Sequence, residues 1–264
     1  MSERISKTFS DKKKKLVTFV TGGDPDETIS QQILKQIIVN GADMIEIGMP
    51  FSDPMADGPT IQLSSNRAII NGANLERIFS IIKKIRIRNN SIPIILMGYY
   101  NVILHFGIKD FVKQCSISGV DGLIIVDLQP EEDSELYESM KSYDIDLIRL
   151  ITPTTTAKRL KIITKHASGF LYYVTITGIT GQKSADMKEL RSSIKNIRDY
   201  SNLPIVAGFG INNKIQVNAV CKIADGAVVG SSIIKIIEEN LGQKEKMLNL
   251  IGNFVKDIKN GTKI

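Results

Sequence analysis

The chain has 264 residues, 42% hydrophobic and 23% charged, which are the proportions of a globular protein and exclude a disordered one. The net charge of +6 comes from scattered lysines and arginines with no aromatic residues among them, so a nucleic-acid stacking surface is not indicated. No run of about 18 uncharged apolar residues occurs and the first residues lack a signal-peptide core, which points to a cytoplasmic protein with no membrane span. Two cysteines, Cys115 and Cys221, and two histidines, His105 and His166, have no metal-ligand spacing, so the cysteines read as free thiols and no metal is expected.

In chain order, a short helix over 2–10 precedes Lys12–Lys15, a basic run that reads as a solvated connection. Apolar runs over 16–21, 44–47, 92–97, 122–126, 145–151, 170–175, 204–207 and 226–229 are short and rich in Ile, Val and Leu, as strands buried on both faces of a parallel sheet must be. They alternate with helical patterns over 27–39, 74–88, 108–118, 131–142, 156–166, 188–198, 212–222 and 232–240. Asp24-Pro25-Asp26-Glu27 and Pro130-Glu131-Glu132 are helix-start signals. Eight such units in one chain predict a single (β/α)₈ barrel domain spanning 1–264. An open dinucleotide-binding sheet would want a Gly-x-Gly-x-x-Gly turn after the first strand, and Gly22-Gly23-Asp24-Pro25 is not one. The connections 48–73 and 176–187 are longer than a barrel requires; 60–70 reads as an extra helix, and 2–10 and 243–258 as helices covering the outside.

Glu46 is the first residue whose placement calls for chemistry. It interrupts the apolar strand Met44-Ile45-Glu46-Ile47, and a buried lone carboxylate is costly unless it is used or paired. Asp57 follows eleven residues later in a Pro-, Gly- and Asp-rich loop that can fold back over the same barrel mouth. Two carboxylates in unlike surroundings can divide proton transfer and charge stabilisation between them. Taken alone, either has a plainer reading, Glu46 as half of a buried ion pair and Asp57 as a turn residue. Three glycine-bearing loops, Thr177-Gly178-Ile179-Thr180-Gly181, Gly208-Phe209-Gly210 and Gly230-Ser231-Ser232, the last opening a helix, suit a phosphate at the mouth. Lys183 reads as surface charge or a phosphate partner.

The run from Glu46 through Pro50-Phe51-Ser52-Asp53-Pro54-Met55-Ala56-Asp57-Gly58-Pro59-Thr60-Ile61-Gln62 resembles the signature of the tryptophan synthase alpha subunit family. Phe19-Val20-Thr21-Gly22-Gly23-Asp24-Pro25, Met97-Gly98-Tyr99-Tyr100-Asn101, Gly178-Ile179-Thr180-Gly181 and Gly208-Phe209-Gly210-Ile211 match in order and spacing, so the resemblance covers essentially the whole chain. It implies a (β/α)₈ lyase that splits indole-3-glycerol phosphate into indole and glyceraldehyde 3-phosphate. It places Glu46 and Asp57 on the catalytic carboxylates. Phe19, Ile61, Tyr99, Tyr172, Thr180 and Phe209 fall on substrate contacts, and Gly181, Gly210, Gly230 and Ser231 on the phosphate site. Pro50, Asp53 and Asn101 fall near the surface for a beta subunit, which carries pyridoxal phosphate and receives indole in an α2β2 assembly. This chain itself then needs no cofactor. Loops 50–62 and 176–187 are expected to close over substrate, bringing Thr180 to Asp57.

Three positions depart from the family pattern: Thr18, Gln129 and Arg149 stand where proline, proline and an apolar residue are usual. Arg149, inside a strand, needs a carboxylate partner if it points between barrel and helices. The other readings are a different phosphosugar barrel such as an isomerase, a lyase that works without a partner, and a non-catalytic subunit that only activates the beta chain. Retention of both carboxylates argues against the last.

Overall fold

The computed structural model describes residues 2–174, 183–208 and 210–264. Its strands are β1 (Lys15–Thr21), β2 (Met44–Gly48), β3 (Ile94–Gly98), β4 (Gly122–Ile125), β5 (Asp146–Leu147), β6 (Arg149–Ile151), β7 (Leu171–Val174), β8 (Ile205–Gly208) and β9 (Gly226–Val229). All pair in parallel, in the order β5-β4-β3-β2-β1-β9-β8-β7-β6. The predicted strand 145–151 is thus two pieces. β5 pairs with β4 and β6 with β7, and between them Ile148 still donates its N–H to the Leu123 carbonyl at 2.9 Å. The ring of eight predicted strands therefore closes through Ile148, whose side chain fills the space that Gly122 leaves; a Cβ on Gly122 would lie 2.6 Å from Ile148 Cδ1.

The helices are α1 (Glu3–Phe9), α2 (Glu27–Val39), α3 (Pro59–Ile70), α4 (Leu75–Arg88), α5 (Tyr100–Phe106), α6 (Ile108–Ser118), α7 (Ser134–Met140), α8 (Ala157–Ile163), α9 (Lys183–Arg198), α10 (Lys214–Cys221), α11 (Ser231–Glu239) and α12 (Lys244–Asn260). Side-chain caps start several of them: Asp26 accepts from the Ile29 N–H at 2.8 Å, Asn74 from Arg77 at 2.9 Å and Asn213 from Gln216 at 3.0 Å. The apolar faces of the outer helices meet the outward residues of the strands in one continuous core, including Ile33, Ile37, Ile78, Phe111, Leu160, Ile233 and Ile251. A second, smaller core fills the barrel lumen with Val17, Met44, Ile95, Ile124, Ile148, Val206 and Val228.

Several expectations need correction. Helix α1 does not cover the outside: Ile5 joins the lumen core, Phe9 packs on Phe170 with ring centroids 5.9 Å apart, and Ser2 bonds to Asp146 and Asp121. It plugs the end of the barrel where the strands begin. The basic run is only half solvated, because Lys15 opens β1, is buried and pairs with Asp11, while Lys14 donates to the Ala224 carbonyl at 2.8 Å. Helix α7 starts at Ser134, since 129–132 forms a turn, with Glu132 N–H on the Gln129 carbonyl at 3.0 Å. Helix α9 begins at Lys183, five residues before the predicted start. Helix α5 was not anticipated; its first N–H, on Tyr100, is met at 2.7 Å by Asp127, which follows β4.

Candidate active site

Alternation along β1 and β2 turns Phe19 and Glu46 into the lumen side by side, and the register pairs the two residues directly. Above the lumen core they line a cavity of 770 Å³ at the carboxyl ends of the strands, shared with Asp57, Ile61 and Tyr172. Cavities of this size suit a small organic ligand. Glu46 is fully buried, and neither carboxylate oxygen has a hydrogen-bond partner. Burial alone pushes its carboxyl up to about 8, so the group carries its proton at neutral pH. Among the described residues no cation meets it, which argues against the ion-pair reading.

Asp57 lies in the loop between β2 and α3, half-buried at the cavity rim. Its Oδ2 accepts from the Tyr99 hydroxyl at 2.9 Å, and the same hydroxyl oxygen accepts from the Ala56 N–H at 3.0 Å. Partial burial raises the Asp57 carboxyl, and the Tyr99 bond opposes that by favouring the ionised form. Tyr99 therefore stands against Asp57 itself and is not part of the lining of this cavity. Its ring packs on Phe51 at 5.2 Å, and Phe51 exchanges two 2.8 Å hydrogen bonds with Ser65 of α3.

The loop carrying Asp57 is anchored from a second side that the sequence did not reveal. Asp24 reads as a helix-start residue, but Asp26 does that work. Asp24 is buried and instead accepts from Arg67 Nε and Nη2, both at 2.9 Å, and from Ser64 Oγ at 2.6 Å. Three bonds thus pin α3, and with it Ile61 and the end of the Asp57 loop, to the turn after β1. Arg67 and Asp24 lie 43 residues apart, and only the folded chain shows the pairing.

At the opposite side of the mouth, Gly230 caps α11 and Ser231 is its first residue. The first N–H groups of a helix lack partners within it and attract anions. Ser232 Oγ ties this turn to the Ile211 carbonyl at 2.9 Å, close to Gly210, whose φ of +57° favours glycine. A Cβ on Gly230 would sit 3.0 Å from Phe19 Cβ, so this backbone can come near the lumen only as glycine. Gly210, Gly230 and Ser231 all line the cavity. Thr180, Gly181 and Phe209, and most of the loop expected to close, lie outside the described residues. Pro50, Asp53 and Asn101 line no part of the cavity; Asp53 and Asn101 are exposed on the rim, near the exposed side chains of Met55 and Leu104.

Arg149 has the carboxylate it requires. It is buried, stands on the outward side of β6 where it also lines the edge of the cavity, and bonds to Asp133 and to the Leu128 carbonyl. Gln129, a second departure from the family pattern, meets Arg159 in the same neighbourhood.

A family model described as tryptophan synthase alpha chain matches residues 5–263. The chain belongs to the tryptophan synthase alpha chain family. It is 43% identical over 264 residues to the tryptophan synthase alpha chain of Geotalea uraniireducens, covering 98% of each chain. The alpha chain of Petrotoga mobilis is 42% identical, with 97% of this chain and 98% of that one covered. Among solved structures, tryptophan synthase subunit alpha from Legionella pneumophila superposes with a TM-score of 0.91 at 33% identity, covering 99% of both chains. The tryptophan synthase α2β2 complex of Pyrococcus furiosus contributes a chain with a TM-score of 0.86 at 34% identity, covering 94% of this chain and 99% of that one. The family fold is the barrel predicted from the alternating runs, and the run from Glu46 to Gln62 spans the end of β2, the loop after it and the start of α3.

Proposed function

We propose that the chain cleaves indole-3-glycerol phosphate by a retro-aldol reaction in which Glu46 moves the protons and Asp57 stabilises charge. The observation that carries this reading is Glu46, fully buried without a hydrogen-bond partner on the wall of the cavity that Asp57 borders. A carboxyl raised to about 8 starts as an acid. It delivers its proton to indole C3, and the ring becomes an iminium cation. The Asp57 carboxylate, held by Tyr99, lies toward the ring N–H and lowers the energy of that cation. Glu46, now ionised, takes the proton of the glycerol hydroxyl. The electrons of that O–H bond form the aldehyde carbonyl, the carbon–carbon bond breaks, and its electron pair returns to the ring and neutralises the iminium. Glu46 ends protonated, and the products are indole and glyceraldehyde 3-phosphate. Phe19, Ile61 and Tyr172 enclose the ring, and we assign Thr180 and Phe209 to substrate contact as well. Gly210, Gly230, Ser231 and Gly181 bind the phosphate.

The reaction consists of proton transfers and a carbon–carbon cleavage whose electrons the protonated indole ring accepts, so the chain, as a single barrel domain, needs no cofactor of its own. Pyridoxal phosphate belongs to the beta subunit, which docks on the rim bearing Pro50, Asp53 and Asn101 in an α2β2 assembly and receives the indole. Among the described residues no helix is long and apolar enough to cross a membrane, and we place the assembly in the cytoplasm. The deciding experiment is indole release from indole-3-glycerol phosphate by the purified chain, alone and with a tryptophan synthase beta subunit. Turnover is expected in both cases and faster with the partner. No turnover in either would overturn the reading.

A further inference from the structure

Between β4 and β6, at the edge of the cavity and with Arg149 and Arg159 among its lining, lies a charge cluster that the proposed chemistry does not use. Leu150 turns into the lumen beside Tyr172, so its neighbour Arg149 leaves β6 on the outward face. The Arg149 guanidinium donates through Nη1 to the Leu128 carbonyl at 3.1 Å and through Nη2 to Asp133, while its Nε has no partner. Asp133, itself buried, also faces His166 Nδ1 at 3.2 Å, and the His166 ring stacks on Tyr137 at 4.1 Å. Nearer the surface, Arg159 of α8 bonds to Glu131 and to Gln129. Both arginines thus reach from the β6–α8 side of the barrel to one short segment, 128–133.

That segment continues the cavity wall, to which Val126, Leu128, Gln129 and Pro130 contribute. Its other end is tied as well, because Asp127 accepts from the Tyr100 N–H, next to the tyrosine that holds Asp57. A buried ion pair rarely stabilises a fold more than apolar residues of the same volume would, and here one guanidinium nitrogen goes unbonded. What the pair does supply is direction. Arg149 meets a backbone carbonyl and a carboxylate five residues apart, which fixes the segment against β6 in a way that apolar packing cannot.

We propose that Arg149 is a positioning residue: with Asp133 it holds the 126–133 segment as a fixed wall of the substrate cavity, so that Leu128 meets bound substrate at a set depth. The inference rests on the activity proposed above. Its effect falls on substrate binding, since the two carboxylates stand on other elements.

The test compares Arg149→Met with the double variant Asp133→Leu/Arg149→Met in the full chain. Thermal midpoint, steady-state kinetics with indole-3-glycerol phosphate, and hydrogen exchange over 126–133 are read for each. Arg149→Met leaves Asp133 buried and uncompensated, so its midpoint falls. Loss of one hydrogen bond holding the wall corresponds to a rise in KM of about five-fold, with kcat within about two-fold of wild type. The double variant regains the midpoint but keeps the raised KM and the faster exchange, because the Leu128 carbonyl is still unheld. A wild-type KM in folded Arg149→Met would overturn the proposal. So would a double variant that recovers both midpoint and KM, which would mean that the pair only fills space. If Arg149→Met does not fold, the double variant decides alone. If the wild-type chain itself cleaves no substrate, the proposed activity fails separately, and unchanged exchange over 126–133 in the double variant would still overturn the role in the wall.

Discussion

The Tyr99 hydroxyl sits between Asp57 and the Ala56 backbone, donating to the carboxylate at 2.9 Å and accepting from the N–H at 3.0 Å. One side chain at the end of β3 therefore sets both the direction of the Asp57 carboxylate and the path of the backbone that precedes it.

Replacing Tyr99 by Phe removes both bonds and leaves the ring packing on Phe51 in place. We expect kcat to fall about ten-fold, the equivalent of roughly 1.4 kcal/mol of transition-state stabilisation, with the thermal midpoint little changed. Steady-state indole release gives the answer. Full activity in Tyr99→Phe would mean that Asp57 needs no such restraint.

Glu46→Gln keeps the shape of the side chain and abolishes proton transfer. We expect turnover to drop by about 10²–10⁴ in a folded protein. The same substitution tests the burial of the carboxyl. With its pKa raised from 4.5 to about 8, Glu46 holds its proton in the folded state at pH values where the unfolded chain has lost it. Its contribution to stability is complete below pH 4.5 and declines as the pH rises to about 8. Denaturant titrations at several pH values should show wild type losing stability relative to Glu46→Gln across that window. Parallel curves for the two proteins would contradict the burial argument.

Arg67→Ala strands the buried Asp24 carboxylate. Breaking a buried pair from one side costs about 3–5 kcal/mol, so a large fall in the denaturation midpoint is expected. Ser64→Ala removes a single bond of the same cluster and should cost about 1 kcal/mol. A loss in Arg67→Ala no larger than that in Ser64→Ala would show that the clamp on α3 is slack.

Ser231→Asp places a carboxylate at the start of α11. An acidic first turn suits a helix, so stability should hold or rise slightly. A phosphate approaching the same N–H groups would be repelled, and we expect KM for indole-3-glycerol phosphate to rise by about ten-fold or more. Affinity for indole, which has no phosphate, should be unchanged. Calorimetry with both compounds separates the outcomes, and an equal loss for the two would move the phosphate elsewhere.

The barrel was legible because its strands are apolar on both faces and come at even intervals, and Glu46 was legible because it breaks that pattern. Asp57 stood out only through the company of its loop. Pairings across long stretches of chain left no local trace: nothing near Asp24 points to Arg67, and nothing near Arg149 points to Asp133. Helix α5 escaped for a local reason. It has seven residues, begins Tyr-Asn-Val, and owes its first turn to Asp127, a residue on another strand connection. The break at Ile148 likewise depends on Gly122 of the neighbouring strand, whose missing side chain gives Ile148 its room.

Helix α1 stoppers the barrel with Ile5 and Phe9, and the lumen core above it separates the Glu46 cavity from that end. A ligand held beside Glu46 therefore cannot leave through the lumen toward α1. On the activity proposed above, indole released there has the plugged end of the barrel behind it. On that reading, a collector for the indole is best placed at the carboxyl ends of the strands, away from α1.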